Sequence, residues 1–342
     1  FKNLMNKEEI VRFAKKYYQR NDVAKIILEH SKNREVVAKY YDKFGKRPDK
    51  LEYINDVKAY ALNNATSFHC SVELWKDVLQ LSRDLSEKEI KELRIGWDLL
   101  IDIDCHFLDY SKETAKLIIN ALELHGIKNY SIKFSGGKGF HILLSHEAFP
   151  EKINFKGKII DITKFFPEGT RLIASYIADF IENDLRQVIL SMNTLQEISN
   201  ATKRNINDLM IDNKFNPYSI ISLDSMLMSS RHLYRMPYCL HEKTGLVSVV
   251  ISKQQLNNFK LSMAKPLAIS IQPFLKKPQY EEAKELLINA LDWQYKEKYL
   301  PTIDSIKEIE YKEFKPIRSY ENIEQAYCGC IKKLLEGVKA DG

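Results

Sequence analysis

The sequence is poor in residues that break or staple a chain, with 12 Gly, 10 Pro and 5 Cys among 342 residues. So little Gly and Pro excludes a collagen-like or linker-dominated chain. With 44% hydrophobic and 29% charged residues, the composition is that of an ordinary globular protein. Five cysteines, an odd number at low density, do not make a disulfide framework, and a reducing, cytoplasmic setting is expected. No run of 18 apolar residues occurs, and the first twenty residues mix charges throughout, so neither a membrane span nor a secretory leader is read. The sequons at Asn64 and Asn200 therefore carry no weight. A large excess of one charge is also missing. Lys and Arg number 52 against 46 Asp and Glu, leaving +6, which is compatible with an anionic partner without demanding one. At about 150 residues per domain the length suggests roughly two domains. The start at Phe1 without an initiator Met, and the end soon after a helix-like run at 330–337, read as those of a piece of a longer protein.

Hydrophobic periodicity orders what is present. Apolar residues recur at three- and four-residue intervals over 7–30 and 34–46, the pattern of amphipathic helices, with another helix at 51–62. Residues 67–75 read as extended and 86–94 as a charged helix. WDLLIDID at 97–104 reads as a buried strand that ends at a polar edge. A helix is predicted over 111–125, with Ser111 as N-cap, Glu113 in its first turn and Gly126 past its end. Two short strands, 130–134 and 140–144, flank a Gly-rich loop. Long helices are predicted at 160–185, interrupted near Pro167, and at 188–205; 218–224 and 245–251 read as strands, and the chain turns helical and charged from 252. The fold class is α/β with a central mixed sheet flanked by helical sections.

Four segments carry chemistry. Asp102 and Asp104 lie two apart on a strand, so both carboxylates point to one side, where hard oxygen donors suit Mg²⁺ or Mn²⁺. Two solvated acids at a strand end are the plainer reading of the same residues. Asp224 closes another apolar strand and joins the pair only if the two strands are sheet neighbours. In Ser135-Gly136-Gly137-Lys138-Gly139-Phe140-His141, three Gly within four residues allow positive φ and close backbone approach to an anion, and Ser135, Lys138 and His141 add donors. A hairpin turn accounts for one or two of those Gly. The segment matches neither a Walker A loop nor G-x-G-x-x-G. Arg231, Arg235, His241 and Lys243 fall within thirteen residues around Pro237, which suits a triphosphate or a nucleic-acid backbone, or a basic surface turn.

Together, a strand-borne D-x-D, then S-G-x-x-G-x-H, then an isolated Asp, then a basic residue ahead of P-x-x-x-H-x-K-T-G resemble the archaeo-eukaryotic primase superfamily, specifically primase small subunits and primase-polymerases. The resemblance spans about 66–251, and residues 68–75 resemble the stretch before the D-x-D strand in that family. It implies a catalytic core at 66–252 with an RRM-like sheet, a helical section at 1–65, and a second at 253–342 cut before a further module. By the same resemblance, Asp102, Asp104 and Asp224 are catalytic and hold two divalent ions, Mg²⁺ or Mn²⁺. Ser135, Gly136, Lys138, Gly139, His141, Arg235 and His241 bind a dNTP or NTP. Arg231 and Lys243 are candidates for template or nucleotide contacts, and Tyr238 is a candidate for the nucleic-acid contacts that initiation on a single strand needs. The implied activity is template-dependent primer synthesis and extension on single-stranded DNA, in the cytoplasm of a prokaryote, with a large-subunit-like or downstream domain as partner and no membrane.

The chain departs from many small subunits in lacking a Cys-rich zinc element after the D-x-D strand. His69, Cys70, Cys105 and His106 could complete four Zn²⁺ ligands in space, although isolated Cys are more often buried apolar residues. Cys328 and Cys330 resemble the opening of a Cys-containing module found in some primase-polymerases, including plasmid and CRISPR-associated forms. Two other functions compete: a metal-dependent nuclease using the three Asp, and a primase-like module that binds single-stranded DNA or a partner without catalysis.

Overall fold

The computed structural model describes residues 5–82 and 84–299. The first part, in chain order, comprises α1 (Lys7–Tyr17), α2 (Asn21–His30), β1 (Val36–Tyr40), β2 (Lys43–Phe44), α3 (Ile54–Leu62), β3 (Ser67–Ser71), β4 (Glu73–Trp75), α4 (Glu87–Leu93), β5 (Arg94–Trp97) and β6 (Leu99–Cys105). Then come α5 (Leu108–Leu124), β7 (Ser131–Phe134), β8 (Phe140–Leu144), β9 (Lys152–Phe155), β10 (Lys158–Asp161), α6 (Glu168–Met192) and α7 (Leu195–Thr202). The last are β11 (Met210–Ile211), β12 (Lys214–Phe215), β13 (Ile221–Leu223), β14 (Leu233–Arg235), β15 (Val250–Ile251), α8 (Lys253–Asn257) and α9 (Lys284–Tyr299). None of these helices is long and apolar enough to cross a membrane.

The chain is α/β, built on a five-stranded sheet ordered β13-β6-β8-β7-β15 and a four-stranded sheet ordered β14-β3-β1-β2. The sequence suggested a mixed sheet, but every strand pairing among the described residues is antiparallel. The loop between β7 and β8 shows one reason, being far too short for the crossover that parallel strands require. Alternation along β6 separates Ile101, Ile103 and Cys105 from Leu100, Asp102 and Asp104. Helix α5 packs on β6 and β8, and α6 packs on α5 and β6. In α5, Ala115, Ile118, Ile119 and Leu122 are buried at helical spacing, as are Ile173, Ile177 and Ile181 in α6. Each of these Ile and Leu side chains contributes about 1.5–3 kcal/mol on burial. The sheet's other face meets the four-stranded sheet: the His141 and Tyr234 rings are 6.2 Å apart, and Lys133 Nζ stands 5.6 Å from the Tyr234 ring centroid.

Helix α1 begins with a reciprocal cap, Asn6 with Glu9, and buries Ile10, Ala14 and Tyr17. Its end grips the segment that leads to His241. Tyr17 donates to the Tyr238 carbonyl at 2.9 Å, while Tyr18 accepts from the Leu240 N–H at 2.9 Å and donates to the Thr66 carbonyl at 3.1 Å.

Several local expectations are corrected. Residues 34–46 form the β1–β2 hairpin rather than a helix, because β1 finds a partner in β3, with Val36 opposite Cys70 and Ala38 opposite Phe68. Helix α5 starts at Leu108, so Ser111 is inside it, buried, with its hydroxyl on the Lys138 carbonyl at 3.0 Å instead of capping. Residues 158–161 are a strand, α6 runs unbroken to Met192, and the break falls at Thr194, which caps α7. The strands read at 218–224 and 245–251 shorten to β13 and β15, and beyond α8 much of the chain before α9 is irregular. Cys328 and Cys330 lie outside the described residues.

Candidate active site

The D-x-D strand lies beside the strand that ends in Asp224. In the antiparallel pairing of β13 with β6, Ile221 faces Cys105, Ser222 faces Asp104 and Leu223 faces Ile103, so the next residue, Asp224, arrives beside Asp102. Ser225 extends the junction with its side chain. Its hydroxyl accepts from the Asp102 N–H at 2.9 Å and donates to the Leu100 carbonyl at 2.6 Å. The three carboxylates thus open onto one cleft of about 560 Å³, together with His69, Ser135, Lys138, His141, Arg235, His241, Lys243 and Thr244.

A row of polar residues crosses the sheet, with Lys133 paired to His141 and His141 to Asp102. His141 Nε2 lies 3.2 Å from Asp102 Oδ1. Burial lowers the His141 pKa against the pull of Asp102, leaving a neutral imidazole that donates to the carboxylate. Burial would raise the Asp102 carboxyl, yet contact with His141 and the proximity of Lys133 hold it below its ordinary value. Desolvation raises Asp104, and the neighbouring Asp102 and Asp224 charges push it further the same way. Ser222 donates a very short hydrogen bond to Asp224.

Lys133 was not singled out from the sequence as a site residue. It is fully buried, donates to Ser248 Oγ at 2.9 Å, and has its pKa lowered by burial to about 7. The available signal was a Lys in the middle of an apolar strand, in phase with Ser135.

The Gly-rich loop is folded on itself. Ser135 Oγ accepts from the Gly137 and Gly139 N–H groups at 3.2 and 3.3 Å, so these two amides are engaged within the loop rather than directed at an anion. Gly136 has φ +88°, and Gly139 passes so close to β6 that an added Cβ would lie 1.7 Å from the Ile103 carbonyl oxygen. Thr244 fastens the loop to the basic turn by donating to the Gly136 carbonyl at 2.7 Å. Lys138 is exposed at the cleft mouth. His241 is neutral, its pKa lowered to about 4 by burial and then by Arg235. Its Nδ1 accepts from the Lys243 and Thr244 N–H groups at 3.3 and 3.4 Å, which puts the ring proton on Nε2, beside Gly137.

Arg235 is in the cleft wall but already matched. Its guanidinium forks onto Glu242 at 3.0 and 2.8 Å and donates to the Leu240 carbonyl at 2.8 Å. Glu242, which the sequence reading passed over, is buried, also accepts from Ser67 at 2.5 Å, and lies 3.6 Å from Lys39 Nζ.

Other expected residues stand elsewhere. Arg231 is outside the cleft, on Glu35 at 2.7 Å, with its N–H on Glu73 at 2.5 Å. Tyr238, expected to contact nucleic acid, is buried, and its hydroxyl accepts from the Gln272 N–H at 2.9 Å. The zinc candidates do not converge, because His69 and Cys70 are consecutive in β3 and point to opposite faces. Cys105 is buried on the face opposite Asp104, and His106 is exposed. Among the described residues no group of three or more His, Cys, Asp or Glu stands at metal-binding spacing. Asp102, Asp104 and Asp224 nonetheless bring three carboxylates to one cleft, the oxygen-donor chemistry that a hard divalent ion takes, and desolvation followed by the two neighbouring charges raises Asp104.

Among known proteins, residues 101–252 match the DNA primase small subunit family. An uncharacterized protein of Methanocaldococcus jannaschii is 29% identical over 131 residues, covering 38% of this chain and 26% of that protein. The chain thus spans about a quarter of that relative's length. The polymerase domain from Mycobacterium tuberculosis Ligase D, solved in complex with DNA, aligns over 84% of this chain and 89% of its own with TM-score 0.44 and 15% identity.

Proposed function

We propose, from the match of residues 101–252 to the DNA primase small subunit family, that the chain is a primase-polymerase of the archaeo-eukaryotic primase superfamily, a nucleotidyltransferase that synthesises and extends primers on a single-stranded DNA template. The observation that carries this reading is the shared cleft, with Asp102, Asp104 and Asp224 on one side and Lys138, His141, His241 and Lys243 around them. A nucleoside triphosphate bound with metals needs both a carboxylate set and opposing donors. A nuclease has no use for the second set.

Asp102, Asp104 and Asp224 would hold Mg²⁺ or Mn²⁺, which when bound lowers the pKa of a primer 3′-hydroxyl and offsets charge on the departing pyrophosphate. His141 orients Asp102 through its Nε2–H, and Ser225 pins the same strand from the edge. Lys138 and Lys243 supply mobile cations for phosphate oxygens, and the His241 Nε2–H is a neutral donor beside the loop. Arg235, neutralised by Glu242, shapes the wall until a stronger anion competes for it.

The test is a gel assay with labelled dNTPs or NTPs, Mg²⁺ or Mn²⁺, and primed and unprimed single-stranded DNA. The wild type is expected to extend a primer, and a chelator to stop it. Asp102→Ala and Asp104→Ala are each expected to lose incorporation at least a thousandfold while melting as the wild type does (~4 kcal/mol in barrier). Robust synthesis by Asp102→Ala would sink the proposal. Nucleotide binding without any extension would favour a non-catalytic binding module.

A further inference from the structure

Arg235 meets the cleft with a carboxylate already behind it. Glu242 takes the Nη1 and Nη2 end of its guanidinium at 3.0 and 2.8 Å, and the Leu240 carbonyl accepts from Nη1 as well, at 2.8 Å. The Nε–H makes no hydrogen bond among the described residues and is not sealed from solvent, so this edge of the fork is free where Arg235 lines the cleft with His241 and Lys243. Glu242 itself does not line the cleft. Its side chain is 5% exposed, accepts from Ser67 Oγ at 2.5 Å and lies 3.6 Å from Lys39 Nζ. A carboxylate so enclosed reaches neither a metal nor a nucleotide, and it acts on the cleft through the arginine it holds. A guanidinium whose charge is shared with a buried carboxylate attracts a phosphoryl group less than an unpaired one, because part of its Coulomb attraction is already satisfied inside the protein.

We propose that Glu242 is a positioning residue that tempers Arg235, fixing its guanidinium in the cleft wall while weakening its hold on the phosphates of the bound nucleotide and of the released pyrophosphate. This rests on the nucleotidyltransferase reading, with the triphosphate held at the Ser135 loop and the His241 turn. Binding that is equally strong before and at the transition state lowers KM without raising kcat, and at this wall it also retains the product. Glu242 removes that excess.

The test measures binding of inorganic tripolyphosphate and pyrophosphate, each with Mg²⁺, by calorimetry on the wild type, Glu242→Gln, Arg235→Met and the double variant. Glu242→Gln keeps the size of the side chain and removes its charge, leaving a buried guanidinium short of an anion. The free variant is therefore expected to melt below the wild type, and added tripolyphosphate to raise its midpoint further than the wild type's. Its affinity for both anions is expected to rise about tenfold. In the Arg235→Met background the same substitution should change affinity by no more than about twofold. A purely structural role has the opposite sign, since a loosened wall binds more weakly. Weaker or unchanged binding in Glu242→Gln, or a gain that persists in full without Arg235, would overturn the proposal and leave the nucleotidyltransferase reading in place. If neither the wild type nor Glu242→Gln binds either anion the proposal falls, and the reading beneath it falls too only when primer extension is also absent. Should Glu242→Gln fail to fold, Glu242→Asp draws the charge back from the guanidinium and is expected to give a smaller gain of the same sign; no gain there overturns the proposal.

Discussion

At Gly139 the absence of a side chain lets the loop and the D-x-D strand share one space. An added Cβ would sit 1.7 Å from a backbone oxygen of Ile103, a contact that only a shift of β8 or β6 can relieve. Gly139→Ala is therefore expected to cost about 1–3 kcal/mol or more in stability and to remove incorporation, read by denaturant unfolding beside the extension assay. An unchanged midpoint with full activity would mean that the loop is freer than its packing indicates. Gly126 makes the contrast. Its φ of +79° ends α5, but an added Cβ would meet nothing within 4 Å, so only backbone strain opposes a substitution there. The three carboxylates belong to the same scale. Period-2 alternation made Asp102 and Asp104 one pair in the sequence, and Asp224 was recognisable as an acid closing an apolar run.

At the scale of elements, buried ion pairs decide how the two sheets are joined. Arg34, just before β1, meets Asp98, between β5 and β6, at 2.5 Å, with side chains 2% and 0% exposed. Asp98 also accepts from the His146 N–H at 2.9 Å, and Arg34 donates to the Ser71 carbonyl at 3.2 Å. Asp98→Ala strands a buried guanidinium and is expected to destabilise the protein by about 3–5 kcal/mol. Arg34→Met in the same chain should recover part of that loss, because the orphaned charge is gone. A double variant as unstable as the sum of the single ones would show that the pair acts through something other than charge burial. The same connections explain the misread hairpin. Residues 34–46 carry an apolar recurrence compatible with a helix, and it is pairing with β3, anchored at the Arg34 end, that draws them into strands.

Across the whole molecule, buried histidines couple stability to pH. Burial lowers His30 and His69 well below the ordinary value, and His241 to about 4. Below about pH 6.5 the unfolded chain takes up protons at these positions while the folded chain does not, so stability falls as pH drops. Each group contributes up to about 1.4 kcal/mol per pH unit in that window. Lowered carboxyls such as Glu242 and Asp98 add a loss of the same sense only at lower pH, below the ordinary carboxylate range. Urea unfolding at pH 7.5 and 5.5 should show the decline, and His30→Leu should reduce its slope by one histidine's share. A slope equal to that of the wild type in His30→Leu would mean that this histidine is protonated in the fold.

What the sequence alone determined is local: which residues alternate on one strand, which stretch has the glycines for a tight loop, and which acids close apolar runs. These follow from periods of two and 3.6 residues and from the steric demands of glycine, all readable within a few positions. The tertiary structure decided which charges face each other and which face the cleft. Arg235 on Glu242, Arg231 on Glu35, Lys133 inside the sheet stack, and His69 turned to the cleft while Cys70 turns away all depend on partners far along the chain or on which sheet face is covered. Desolvation and pairing energies arise only once distant segments meet, so no local pattern carries them.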